Sequence, residues 1–214
     1  MQDKYWNNHY KKFSIYDPTE FALHCIRNQF KSDDVVIELG CGNGRDAYSI
    51  AQKVSRYIGF DACNIAVASF KKNINNINPE ISKKIEVYQQ DFTSVDFDNL
   101  ISHAKRLVFY SRFSYHSINY EEADRLLKNI NDVNKFPWIL MIEARTIFDN
   151  LYGEGENIGL HEFKTDHYRR FIDPENFFSE ISASFSIPFF HVNSGYALYG
   201  DQDPEVMRVI IQKK

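Results

Sequence analysis

Short apolar runs rich in β-branched and aromatic residues alternate along the chain with stretches whose apolar positions recur at helical spacing, which predicts a parallel sheet covered by helices. The runs at 35–39, 57–60, 85–88, 107–110 and 138–143 read as strands. Between them, 46–54 follows a glycine-containing loop, 65–74 sets Val67, Phe70 and Ile74 on one helical face, and 121–130 follows the fourth strand. An earlier helix is predicted over 21–29, and Pro174 after Asp173 starts another over 174–181. Towards the carboxyl end 186–192, 197–199 and 206–211 read as strands joined by "NSG" and "GDQDPE", turns that permit an antiparallel hairpin at the sheet edge. Two regions break the alternation. Residues 1–20 are polar and aromatic with no predicted element, and 146–165, "TIFDNLYGEGENIGLHEFKT", contain glycines and follow no period.

The length of 214 residues predicts one domain, with residues 1–30 as an amino-terminal cap and 146–170 as a lid or insertion on the acceptor side. Hydrophobic residues at 43% and charged residues at 25% suit a globular fold in water. A net charge of -4 gives no field that would attract nucleic acid, although a local basic pocket is compatible with it. Cys25, Cys41 and Cys63 form no CxxC and cannot all pair, so a reducing compartment is expected. No apolar run approaches the roughly 20 residues of a bilayer span, and the amino terminus has no signal-like core, so the expectation is a cytoplasmic protein without membrane insertion.

The first strand meets the first helix of the alternation through "VVIELGCGNGRDA", an apolar run, an acid and three glycines at alternate positions. Such a chain turns sharply and admits another group into contact with its backbone. In open α/β sheets this loop, beyond the strand's carboxyl end, cradles the ligand. The spacing is GxGxG rather than the GxGxxG of dinucleotide loops, and Glu38 would repel a pyrophosphate while favouring an ammonium or sulfonium. Asp61 ends the second strand about 20 residues further on, where an acid accepts ribose hydroxyls. Asp91 and Phe92 follow the third, offering a carboxylate to an adenine amino group and a ring to its face. Together they describe a site for a cationic adenosine ligand. Trp6, Tyr10 and Phe21 are candidates to close over it, since aromatic faces attract cations.

The segments "IELGCGNGRDA", "IGFDAC" and "YQQDF" resemble the successive motifs of class I S-adenosylmethionine (SAM) methyltransferases, in order, within residues 35–143. The resemblance implies an α/β fold, a Rossmann-like, doubly wound, seven-stranded and mostly parallel sheet with an antiparallel C-terminal hairpin. It implies SAM as cofactor and S-adenosylhomocysteine as product. It assigns Glu38, Gly40, Gly42 and Gly44 to the amino-acid end of the cofactor, Asp61 to its ribose, and Asp91 with Phe92 to its adenine.

On the acceptor side, "VFYSRFSYHSI" and "MIEARTIFDNLYG" place Arg112 and Arg145 beyond the fourth and fifth strands, and "HYRRF" adds Arg169 and Arg170. Guanidiniums converging on one rim predict a small anionic acceptor, because their forks match phosphate or carboxylate oxygens. The competing structural reading is that Arg112 pairs with Glu143 or Asp149 and holds loops together. A hydroxyl acceptor needs a base, for which His116 and His167 qualify and Tyr115 is a weaker candidate; an already ionised oxygen needs none. "YSRFSYHSI", "EART", "LYGEG", "HYRRF" and "DPEVMRVI", with "YWNNHY" and "DPTEFA", resemble small bacterial methyltransferases of polysaccharide and capsule gene sets, including those that methylate a phosphoramidate. That resemblance implies an anionic, nucleotide-linked or sugar-linked small-molecule acceptor in capsular polysaccharide biosynthesis. His161, Glu162 and Asp149 lack a recognised ligand spacing, so no metal is expected. Alternative readings are a nicotinamide-dependent oxidoreductase on the same sheet and a non-catalytic methyltransferase-like binding subunit. Nucleic-acid or protein methylation lacks both a basic face and an Asn-Pro-Pro-Tyr-like motif, where "SRFSYH" stands instead.

Overall fold

The computed structural model describes residues 2–12 and 17–214, with side chains from residue 5 to 10 and from 17 onward. Residues 1 and 13–16 of the predicted cap lie outside the described residues. Helices α1 (Gln2–Lys12) and α2 (Glu20–Asn28) precede β1 (Val35–Leu39). There follow α3 (Ala47–Lys53), β2 (Arg56–Asp61), α4 (Asn64–Ile74), α5 (Pro79–Ser82), β3 (Ile85–Gln89), α6 (Phe97–Leu100), β4 (Leu107–Arg112), α7 (Tyr120–Asn131) and β5 (Trp138–Arg145). The chain closes with β6 (Glu156–Gly159), β7 (Glu162–Lys164), β8 (Tyr168–Arg170), α8 (Pro174–Ser184), β9 (Phe185–Asn193) and β10 (Val206–Lys213).

Seven strands form one sheet in the order β3-β2-β1-β4-β5-β10-β9. The first five are parallel, and β10 runs antiparallel to both β5 and β9. Every residue of β1 and β5 is buried, as central strands covered on both faces must be. One face packs against Phe21, Ala22 and Cys25 of α2, Ala47 and Ile50 of α3, and Val67 and Phe70 of α4. The other packs against Phe97 of α6, Ala123, Leu126 and Ile130 of α7, and Phe177 and Ile181 of α8. The edge strand β9 carries Pro188, tolerated where no further ladder bond is needed. Because β1 leads outward to β3 and the chain then returns to β4 on β1's other side, the switch point opens between the carboxyl ends of β1 and β4.

Three elements differ from the sequence expectations. The polar, aromatic amino terminus forms α1, whose period rests on Tyr5, Trp6, His9 and Tyr10 alone; Tyr5 stacks on His9 and Trp6 on Tyr10, each pair one turn apart. The aperiodic 146–165 segment contains β6 and β7, which with β8 form a small antiparallel sheet of its own. Strands of three or four residues, one with a register shift at Gly159, are too short for a period to emerge. Residues 197–199 are no strand: Tyr199 makes an isolated bridge to Gln202, inside a loop that Gly195 and Gly200 bend through positive φ.

Candidate active site

A crevice of about 690 Å³ opens at the switch point. Its floor is the loop after β1 and the tips of β2, β3 and β4; α1 forms one wall, Leu151, His167 and Arg169 of the segment after β5 another, and the 194–205 loop contributes Ala197, Tyr199, Gln202 and Pro204. Gly40, at φ +80, crosses beneath the loop that follows β4, where a Cβ would collide with Ser114, whose hydroxyl donates to the Leu39 carbonyl. That crossing holds the two sides of the switch point together. Tyr10 of α1 covers Gly42 closely enough that no side chain fits between them.

One end of the crevice is acidic. Glu38, only 5% exposed, accepts a hydrogen bond from the Tyr57 hydroxyl. Burial, then the neighbouring Asp46 carboxylate, push its pKa well above the ordinary glutamate value. Asp46 itself accepts from the Thr19 amide at 2.7 Å, the Thr19 hydroxyl at 2.9 Å and the Tyr110 hydroxyl at 2.8 Å. Asp61 accepts the Gly42 and Cys63 amides, each at 2.8 Å, one on each oxygen, and burial raises its pKa against those two bonds. Asp91 caps the 3-10 turn Phe92–Ser94 through the Thr93 amide and hydroxyl, and with Phe92 it lines the crevice.

The other end is basic. Arg112 lies 3.2 Å from Glu143, which is also bound by Arg208 from β10. Arg145 binds both oxygens of Asp149 through Nη1, at 2.8 and 2.7 Å, and Gln202 through Nη2. Arg112 is thus beside Glu143, as its structural reading expected, and Arg145 is paired as well, with Asp149. Arg169 lines the same end, donates to the Thr165 hydroxyl, and has no carboxylate within ion-pair distance among the described residues. Burial and then the nearby Arg145 charge lower its pKa. His116 receives the Arg145 amide on Nδ1, and His167 pairs with Asp166 while Tyr5 of α1 stacks on its ring at 3.9 Å.

The crevice gathers most of the residues singled out in the sequence, and four fall elsewhere. Gly44, at φ +84, packs under the Phe70 ring of α4 and does not line the crevice. Phe21 stacks on Tyr110 inside the core. Tyr115 is buried against Phe177 in the core of the opposite face. Arg170 donates to the Tyr115 carbonyl and lies over the Tyr115 and Tyr120 rings, away from the crevice. Of the other residues considered together in the sequence, Asp149 binds Arg145, His161 the Tyr152 hydroxyl, and Glu162 the Tyr168 hydroxyl. Conversely Tyr5, Asp46, Asp166 and Gln202 were missed. The aromatic pairs at one-turn spacing in "KYWNNHY" were the available signal for Tyr5, and adjacency to His167 the one for Asp166; nothing local marked Asp46 or Gln202.

Residues 36–135 match the family model of a methyltransferase domain. No curated protein matches the chain in sequence. Among solved structures, a SAM-dependent methyltransferase of Methanosarcina mazei is 18% identical over 88% of this chain and 96% of its own, with a TM-score of 0.70. One from Anabaena variabilis is 16% identical over 99% and 93%, with a TM-score of 0.71. The glycopeptide N-methyltransferase MtfA, complexed with SAM, is 13% identical over 90% and 93%, with a TM-score of 0.65. Likeness at these identities establishes the fold, and the family model supplies the class. Residues 36–135 carry a methyltransferase domain on the fold shared with SAM-dependent methyltransferases, and the nicotinamide reading is set aside.

Proposed function

We propose that the enzyme transfers the methyl group of SAM to an oxygen of a small anionic acceptor, with donor and acceptor meeting between the acidic and basic ends of the crevice. Arg169 carries this reading: a half-buried guanidinium that no carboxylate among the described residues contacts, beside a second arginine, is stabilised by an incoming anion. The acidic end supports the donor's placement. Glu38, costly to ionise in the empty crevice, would be drawn into its charged form by an ammonium or sulfonium. Gly40 and Gly42 bring backbone into the same wall, Asp61 has a spare lone pair on each oxygen for ribose hydroxyls, and Asp91 and Phe92 form the wall proposed for adenine. Trp6 and Tyr10 of α1 would cover the donor.

When bound, SAM supplies an electrophilic methyl on a cationic sulfur. The chain's task is to hold an acceptor oxygen about 3 Å from that carbon, opposite sulfur. Because sulfonium charge disappears during transfer, pairing the reacting oxygen tightly with the donor would stabilise the ground state more than the transition state. Arg169, with the paired Arg112 and Arg145 beside it, is accordingly placed to hold non-reacting oxygens, and α1 with the segment after β5 to exclude water. The resemblance to capsule-gene methyltransferases supports a phosphate, phosphoramidate or nucleotide-linked sugar as acceptor. Incubation with tritiated-methyl SAM tests this across glycerol 3-phosphate, glucose 1-phosphate, a nucleotide-linked phosphoramidate, glucose and glycerol. Label is expected in anionic members alone; labelling of the neutral sugars at equal rate would overturn the proposal.

A further inference from the structure

His116 and His167 line the same crevice, and their partners fix them in opposite tautomers. A backbone amide can only donate, so His116 Nδ1, which receives the Arg145 amide at 3.1 Å, is bare and the ring proton sits on Nε2. Burial, followed by the charge of Arg145, holds that imidazole well below its ordinary pKa and so neutral. It meets a ligand as a hydrogen-bond donor. His167 is the reverse. Its Nδ1 lies 2.7 Å from Oδ1 of Asp166, a carboxylate whose side chain is 64% exposed and which can only accept. The proton is therefore on Nδ1, and Nε2 keeps its lone pair with no partner among the described residues. Tyr5 stacked on one face and Trp6 tilted at 5.5 Å hold the ring in place.

We propose that His167 is the general base of the reaction and Asp166 its positioning residue, and that the methylated atom is a protonated hydroxyl on a molecule whose separate anionic group rests at Arg169. The inference rests on the basic end being the acceptor's site, and it narrows the substrate class from anions in general to phosphorylated or carboxylated alcohols. An ionised phosphate oxygen needs no base, whereas a hydroxyl does, and the crevice provides one beside the cation that would hold the anion. In the step, a lone pair of the hydroxyl oxygen forms the C–O bond while the C–S bond breaks and its electron pair stays on sulfur. The hydroxyl proton passes to His167 Nε2. The products are a methyl ether, neutral S-adenosylhomocysteine and a His167 imidazolium paired with Asp166. The groups facing His167 are Tyr5 and His9 of α1, Asp166 on its own turn, Arg169 on β8 and His116 after β4. Burial and Arg169 keep its imidazole below the ordinary pKa, neutral and able to accept at neutral pH, while Asp166 opposes them.

Nitrogen-resolved NMR of the histidine rings in the full chain at pH 7.5 reads the tautomers without any acceptor. His167 is expected as Nδ1–H and His116 as Nε2–H; an Nε2–H His167 would overturn the dyad. Transfer from tritiated-methyl SAM is then compared between glycerol 3-phosphate, glucose 1-phosphate and lactate on one side and methyl phosphate and inorganic phosphate on the other. Label is expected in the hydroxylated anions, surviving phosphatase treatment as a methyl ether. Label in the hydroxyl-free phosphates, or silence across every hydroxylated probe, overturns the substrate class. His167→Gln is expected to lower kcat about 100-fold or more with S-adenosylhomocysteine affinity unchanged, and to remove the acid limb of the pH profile. Asp166→Asn lowers kcat less and moves that limb to lower pH, because the carboxylate stabilises the imidazolium, and Asp166→Glu restores much of it. An unaltered kcat in His167→Gln sinks the dyad alone; loss of S-adenosylhomocysteine binding by the unaltered enzyme would instead sink the donor placement on which the proposed function stands.

Discussion

The acidic and basic ends of the crevice are built from tips of the same sheet, yet their charges are handled in opposite ways. At the acidic end Glu38, Asp46 and Asp61 are held by hydroxyls and backbone amides, neutral donors that fix the carboxyls without an ion pair. At the basic end Arg112 and Arg145 have acids beside them, and Arg169 is left with a hydroxyl. Neutral donors position a charge and keep it available; ion pairs position it and consume it. On that principle the acidic end is arranged for a cation as a group, whereas anion binding at the basic end concentrates on one residue.

The largest effect that separates the ends is expected from Asp61→Ala. It removes acceptance of two charge-assisted hydrogen bonds, each worth about 1.5–3 kcal/mol, so S-adenosylhomocysteine should bind about 100-fold more weakly or worse by calorimetry. Phosphate binding at the other end, followed by phosphorus NMR, should not change; a joint loss would show that the two ends are one cooperative unit. Next, Arg169→Ala should weaken phosphate binding by about 10- to 100-fold with S-adenosylhomocysteine affinity unchanged within about twofold. If Arg145→Ala proved the more damaging for anion affinity, the contrast between paired and unpaired arginines would fail.

Glu38→Gln should have a smaller and pH-dependent effect. A carboxyl whose pKa rises on folding keeps its proton in the folded chain where the unfolded chain has lost it, so its burial destabilises the fold above the ordinary glutamate pKa and has no such effect well below it. The variant, still able to accept from Tyr57, should melt higher at pH 8 and not at pH 4, with about 2–4 °C corresponding to about 1 kcal/mol. Its affinity for SAM should fall more than that for S-adenosylhomocysteine, which lacks the sulfonium. The smallest effect on binding is expected from Arg170→Lys: phosphate and S-adenosylhomocysteine affinities within about twofold of the original, with a lowered melting temperature as the Tyr115 carbonyl and two ring contacts are disturbed.

Much of the acidic end was legible because its residues sit where local sequence signals end. Glu38, Asp61 and Asp91 each close or follow a strand whose apolar run announces it, and parallel strands bring their tips side by side. Asp46 escaped notice because its partners, Thr19 and Tyr110, lie 27 and 64 positions away. At the basic end the arginine-bearing tips were readable but their states were not: "RR" at 169–170 gives no sign that one guanidinium faces the crevice and the other lies over Tyr115 and Tyr120. Successive residues of a strand point to opposite sides, so the pair divides once β8 is recognised as a strand, and β8 is too short to announce itself.

By itself the sequence determined the alternation of strands and helices, the glycine turn after the first strand and the acids at the strand tips, since these rest on periodicity and local backbone demands. Tertiary structure alone decided which protein groups each glycine meets, which arginine stands outside an ion pair and which group faces Nδ1 of His116. Most of those outcomes depend on contacts between residues far apart in the chain, as where the Arg145 amide, 29 positions away, occupies Nδ1 of His116.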